Sequence, residues 1–302
     1  MIKLLGEYTN GNVKTRIYSD GTKIRTTNDD VFRPVFPENF DCQISTYCRN
    51  GCKFCYAGCS ESGRDANLLS FAKFWDSVHP YTEIALNLNS DVPKDFILFL
   101  EMLKNKKIIA NLTVNQRQFV PNQDYLLDLV NRGLIHGIGI SLDNVDELIQ
   151  LDVPTVFPNA VIHTIAGVTS PDAYRKLADG RHKVLILGYK TVGRGSDYLL
   201  YTWGTYKYKF NWLYENLNEL KDKFKVLSFD NLALNKLDVK RLLSEEEWEQ
   251  FYMGDDGSFT LYVDLVNQTF ARNSMTKIRY PMGKKTIDEM FAVIQKEMNE
   301  NG

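Results

Sequence analysis

The chain has 302 residues, enough for one large domain or two small ones. Hydrophobic residues make up 44% and charged residues 25%, the balance of an ordinary globular chain with a sizeable core to bury. The 36 lysines and arginines nearly cancel the 38 acidic residues, so the net charge of −2 leaves no footprint for nucleic acid, and no apolar run approaches the ~20 residues that span a bilayer.

In chain order, the first 27 residues read as a small β-meander. Asn10-Gly11 and Asp20-Gly21 are hairpin turn pairs, flanked by strand-like runs at Ile2–Tyr8, Val13–Tyr18 and Lys23–Thr27. The segment Phe32-Arg33-Pro34-Val35-Phe36-Pro37 breaks regular structure and reads as a connector. The apolar part of the N-terminus is too short for a secretory signal, so the expected compartment is a reducing cytoplasm.

From about Phe40 the pattern alternates strand and helix. Apolar runs at Cys42–Ile44, Glu83–Leu88, Ile108–Val114, Ile135–Ser141, Ala160–Ile165 and Lys183–Leu187 predict strands. Between them, apolar residues at spacings of three and four predict helices at Leu68–Val78, Lys94–Lys104, Asp124–Asn131, Val145–Leu151 and Pro171–Leu177. Such alternation favours a parallel sheet with helices packed outside, curled or open. A doubly wound nucleotide-binding sheet competes, weakened because no G-x-G-x-x-G follows the first strand.

After Gly188 the pattern is less regular. Tyr198–Tyr208 is aromatic-rich, Phe210–Lys223 predicts a helix and Val226–Phe229 a strand. Ser244-Glu245-Glu246-Glu247 and Thr286-Ile287-Asp288-Glu289 match capping boxes that open helices, and Phe259–Val263 with Thr269–Arg272 suggests a hairpin about Asn267-Gln268. The organisation predicted is an N-terminal meander and connector (1–38), a β-α region (39–230) and a C-terminal α+β extension (231–302) covering it.

All five cysteines, Cys42, Cys48, Cys52, Cys55 and Cys59, lie between positions 42 and 59. A disulfide framework spreads its cysteines, and an odd number leaves one unpaired, so this clustering points to metal. Cys48, Cys52 and Cys55 are spaced C-x₃-C-x₂-C, with Gly51 easing a tight turn. Three thiolates on one loop can hold three corners of a cubane iron–sulfur cluster and leave the fourth iron open. Structural zinc is disfavoured, because no distant cysteine pair completes a site and His79, His136, His163 and His182 lack ligand spacing. Cys42 is expected to point into the core and Cys59 to be an incidental loop thiol; His163, inside a strand, reads as a core histidine.

The run Cys48-Arg49-Asn50-Gly51-Cys52-Lys53-Phe54-Cys55 resembles the signature of the radical S-adenosylmethionine superfamily, C-x₃-C-x-aromatic-C after the first strand of a partial (β/α)₆ barrel. The resemblance implies one [4Fe-4S] cluster on Cys48, Cys52 and Cys55, S-adenosyl-L-methionine on the open iron, and Phe54 and Tyr56 beside the cofactor. It further implies reductive cleavage of S-adenosylmethionine to a 5′-deoxyadenosyl radical, hydrogen abstraction from an unidentified substrate, and an electron donor such as flavodoxin or ferredoxin. The fold it implies is an α/β partial barrel with the meander and extension appended.

Other family positions map onto this sequence with two readings each. Asn87 and Asn89 stand where the family has Gly-Gly-Glu, and are either cofactor contacts or a strand-end turn. Ser141 and Asp143 stand at the ribose position, or Asp143 serves as the N-cap of the helix that follows. Lys190 and Arg194 are either anion contacts or parts of a solvated loop. Two alternatives to the whole reading are a non-catalytic iron–sulfur or zinc module and a glycyl-radical-activating enzyme; the length argues mildly against the latter.

Overall fold

The computed structural model describes residues 2–301. Gly11 and Gly21 take φ values of +62° and +90°, the left-handed region that hairpin turns require. They join β1 (Leu4–Asn10), β2 (Val13–Tyr18) and β3 (Lys23–Thr26) into an antiparallel sheet. The buried Asn10 side chain accepts from the Val35 and Phe36 amides and donates to the Phe36 carbonyl, pinning the connector to this sheet.

A second sheet of ten strands begins at β4 (Asn39–Gln43) and continues through β5 (Glu83–Leu88), β6 (Ile109–Asn115), β7 (Gly137–Ser141), β8 (Ala160–Ile165), β9 (Lys183–Leu187) and β10 (Val226–Phe229). These seven strands are parallel neighbours in sequence order. A doubly wound sheet reverses its strand order part-way, and this one does not. Unreversed order with crossovers of one hand sends every connecting helix to the same face. Alternate residues such as Ile84, Leu86 and Leu88 therefore pack beneath the helices, beside Trp75, Phe99 and Leu103. Their neighbours Ala85 and Asn87 face a cavity on the other side.

The C-terminal region joins this sheet directly. β11 (Thr260–Asp264) lies parallel to β4 on its free side, pairing Tyr262 with Asp41, and continues antiparallel into β12 (Thr269–Ala271) and β13 (Tyr280–Pro281). The turn at Asn267-Gln268 and both capping boxes form. The last helix, Ile287–Asn301, docks on the helix Ala72–Ser77, where the Ile287 amide donates to Ser77 Oγ at 2.9 Å. The fold is thus α/β with one large parallel sheet. Among the described residues the sheet remains open, with β10 and β13 at its edges.

Two local expectations need correction. The first strand of the large sheet is Asn39–Gln43, shifted from Cys42–Ile44, because Asn87 takes the amide of Ile44 out of the ladder. The helix expected from Phe210 starts at Arg194 and runs 27 residues to Leu220. Its first turns contain Gly195, Gly204 and many aromatics, poor helix formers that tertiary contacts override: Tyr198 packs on Phe54 and Tyr189, and Tyr206 packs over Gly167. Among the described residues no helix is long and apolar enough to cross a membrane.

The meander lies at the amino ends of the parallel strands, where Asn159 donates to the Ser19 carbonyl at 3.0 Å. It is fastened by a charge network around Glu38, which is fully buried. Glu38 accepts from Arg25 Nε at 2.8 Å and Nη2 at 2.7 Å and from Thr15 Oγ1 at 2.9 Å, while Lys23 pairs with Glu83 at 2.7 Å.

Candidate functional site

One cavity of about 1450 Å³ runs along the face of the large sheet opposite Ile84, Leu86 and their helices, bounded by the meander turn Ser19–Thr22 at one end and the cysteine loop at the other. The loop leaves β4 at its carboxyl end. Asn87 in β5 and Asn89 just after it hold its entry: Asn87 accepts from the Ile44 amide at 2.8 Å and donates to the Ser45 carbonyl at 2.9 Å. Asn89 donates to the carbonyls of Ser45 at 3.1 Å and Tyr47 at 2.9 Å. The Cys48 amide then bonds the Ser60 carbonyl at 2.9 Å, so the segment 48–60 closes on itself. Gly51 and Gly58 have φ of +59° and +65° with open space around their α-carbons.

Residues after later strands brace the loop from outside. Asn50 and Gln118 exchange side-chain hydrogen bonds at 2.7 and 2.6 Å. Asp143 receives Arg117 in a bidentate pair at 2.8 and 3.0 Å, and Arg117 also reaches the Asn50 carbonyl at 3.4 Å. Asp143 is not the cap of the next helix: Asn144 is, accepting from the Asp146 and Glu147 amides. Ser141 ends β7 and lines the cavity. Arg194 lies against the loop backbone, donating from Nε to the Cys52 carbonyl at 3.0 Å and from Nη1 to the Cys59 carbonyl at 2.9 Å.

Cys48, Cys52 and Cys55 are each partly exposed and all line the cavity, as do Phe54, Tyr56 and the buried Cys59. Cys59 is buried, its proximity to Cys55 holds the Cys55 thiol below its ordinary range and pushes its own titration up, and Asn89 approaches its sulfur at 3.8 Å. Burial, reinforced by Cys55 and Cys48, raises Cys52. Cys42 is buried in the core and strongly raised by that burial, as its strand position implies. Among the described residues, no three His, Cys, Asp or Glu side chains converge in a metal-holding arrangement.

On the wall beside the loop, Lys190, which the sequence singled out, is surrounded by carboxylates that sequence reasoning missed. The Lys190 ammonium stands 4.1 Å over the Tyr56 ring and donates to Ser274 Oγ at 2.9 Å. Burial works against its charge, but Tyr56, Asp41, Asp230 and Asp256 outweigh it and hold the ammonium above its ordinary range. Burial raises Asp41, opposed by Lys190, and raises Asp230, opposed by the Gly188 and Ala233 amides. Asp41 faces cavity space although it lies deep in the fold, and the alternation of β4, with Phe40 and Cys42 in the core, is the signal that locates it. His163 also faces the cavity, over Gly139, and burial lowers it to about 4 so that it is neutral.

No family model matches the chain, and no curated protein matches it. Among solved structures, SuiB of Streptococcus suis bound to S-adenosylmethionine is similar, with a TM-score of 0.52 over 86% of this chain. The likeness is one of fold. The two sequences are 14% identical, and the match covers 66% of SuiB, so this chain spans just under two thirds of that protein's length.

Proposed function

We propose that this chain is a radical S-adenosylmethionine enzyme that holds a [4Fe-4S] cluster on Cys48, Cys52 and Cys55, and that its curled sheet serves as the superfamily's partial barrel. The observation that carries the reading is the placement of all three C-x₃-C-x₂-C thiols after the first parallel strand, at the carboxyl-end rim of one large cavity. Barrel enzymes build their sites at that end. The fold likeness to a protein bound to S-adenosylmethionine supports the same reading.

The three thiols do not converge in this structure, and it is the chemistry of the donor set that supports the group. Three partly exposed thiols share a loop with free space at both glycines, and thiolates are the ligands such clusters take. When bound, the cluster and S-adenosylmethionine supply reductive carbon–sulfur cleavage to a 5′-deoxyadenosyl radical that takes hydrogen from a substrate. The chain's own part is orientation and exclusion of water. Asn87 and Asn89 fix the entry of the cysteine loop, and Arg117 and Gln118 brace its outer side. Lys190 and Ser141 present a cation and a hydroxyl toward the cavity for the cofactor's carboxylate and ribose. The electron arrives from a donor such as flavodoxin or ferredoxin.

One observation favours a second reading. Cys59 is buried beside Cys55 and lines the same cavity, so a four-thiolate site would make a non-catalytic module. Iron analysis separates the two. After anaerobic reconstitution the proposal expects four irons per chain, lost in Cys48→Ala, Cys52→Ala and Cys55→Ala and kept in Cys59→Ala and Cys42→Ala. Loss in Cys59→Ala as complete as in Cys52→Ala, or tightly held zinc, contradicts it.

A further inference from the structure

We propose that Arg194 is the positioning residue of the cysteine loop and the charge that tunes it, an inference that rests on the cluster assignment above. Three contacts from this one residue meet three cysteine carbonyls. Its backbone amide donates to Cys55 at 3.1 Å, its Nε to Cys52 at 3.0 Å and its Nη1 to Cys59 at 2.9 Å. The loop has little regular structure of its own, so these bonds fix how its peptide groups, and with them its sulfurs, are turned.

The preceding residue shows how close the approach is. Gly193 has φ +56°, and a Cβ there would fall 2.4 Å from the Tyr56 carbonyl oxygen and 2.9 Å from that of Cys55. Arg194 opens the 27-residue helix, whose far end is anchored by the buried Leu213, Leu217 and Leu220. A rigid element rooted across the fold therefore sets the geometry of a loop some 140 positions earlier in the chain.

The side chain's chemistry suits the task. A guanidinium presents several donors in a fixed fork, so one side chain can meet two carbonyls of a curved backbone; an ammonium is a single point of charge. Among the described residues the Arg194 guanidinium forms no ion pair with a carboxylate and donates to backbone carbonyls. A fixed positive charge beside the cluster ligands favours the reduced, more negative state of whatever they hold. The residue thus has two separable effects, one on loop geometry and one on potential.

The test compares wild type, Arg194→Lys and Arg194→Gln in the full chain, with circular dichroism confirming the fold. Three quantities are read: iron loss to a chelator after anaerobic reconstitution, the midpoint potential of the cluster, and amide hydrogen exchange over residues 52–59 in the iron-free chain. Both variants should lose iron and exchange loop amides at least about fivefold faster, the effect of roughly one net hydrogen bond. The potential should fall in Arg194→Gln and stay near wild type in Arg194→Lys. Should Arg194→Gln not fold, Arg194→Lys decides the geometric claim. Wild-type iron retention with unchanged loop exchange in a folded variant overturns the proposal. A wild type that binds no iron refutes the cluster assignment instead, while the exchange comparison still decides the clamp.

Discussion

Lys190 and Tyr56 meet face-on, the ammonium 4.1 Å from the ring centre, so a residue after β9 touches one immediately after the third cysteine. Cation–π contacts of this kind contribute about 0.5–2 kcal/mol. The pair brings a fixed cation to the cysteine-loop end of the cavity.

Lys190→Met should weaken S-adenosylmethionine binding about tenfold, the loss of one charge-assisted contact, while iron content stays unchanged. Tyr56→Phe keeps the π face and should bind as wild type does, whereas Tyr56→Ala should follow Lys190→Met. Equilibrium titration of reconstituted protein measures this, and undiminished affinity in Lys190→Met rejects the assigned role.

Glu38→Ala should destabilise the fold by about 3–5 kcal/mol, because it leaves the Arg25 guanidinium buried without its carboxylate. Urea unfolding of the iron-free chain checks it. A loss below about 1 kcal/mol would mean that the meander is held by apolar contacts alone.

His163 predicts an acid-side effect with a definite sign. Its folded value of about 4 lies below the ordinary 6.5, so folding costs nothing at this residue above pH 6.5. Between pH 6.5 and 4 the unfolded chain takes up a proton that the folded chain refuses, and stability falls by at most about 3 kcal/mol, less where cavity water screens the ring. His163→Asn should lose that part of the slope in iron-free protein, and identical pH profiles would contradict it.

Gly139→Ala tests the same contact from the other strand. A Cβ there would lie 2.2 Å from the His163 ring, so the substitution should cost about 1–3 kcal/mol. The double variant Gly139→Ala/His163→Ala should recover part of that loss, since the clash goes with the ring. Additive losses would show that the crowding lies elsewhere.

Local signals in the sequence placed much of this fold. The strands Glu83–Leu88, Ala160–Ile165 and Lys183–Leu187 lie where their apolar alternation puts them, and both capping boxes form where Ser244 and Thr286 precede their glutamates. The pairing of β11 with β4 was not legible, because it joins residues some 220 positions apart and no local pattern specifies a partner. The helix from Arg194 was hidden by its glycines and aromatics. At the site, the cysteine spacing announced the loop. The braces from Arg117, Gln118 and Arg194, and the carboxylates around Lys190, exist only once the strand ends are brought together.

The central claim is tested most directly by incubating anaerobically reconstituted protein with dithionite and S-adenosylmethionine and measuring 5′-deoxyadenosine. The account predicts its formation by wild type and by Cys59→Ala, and its absence in Cys52→Ala. Reconstituted wild type that carries four irons yet forms none would contradict it.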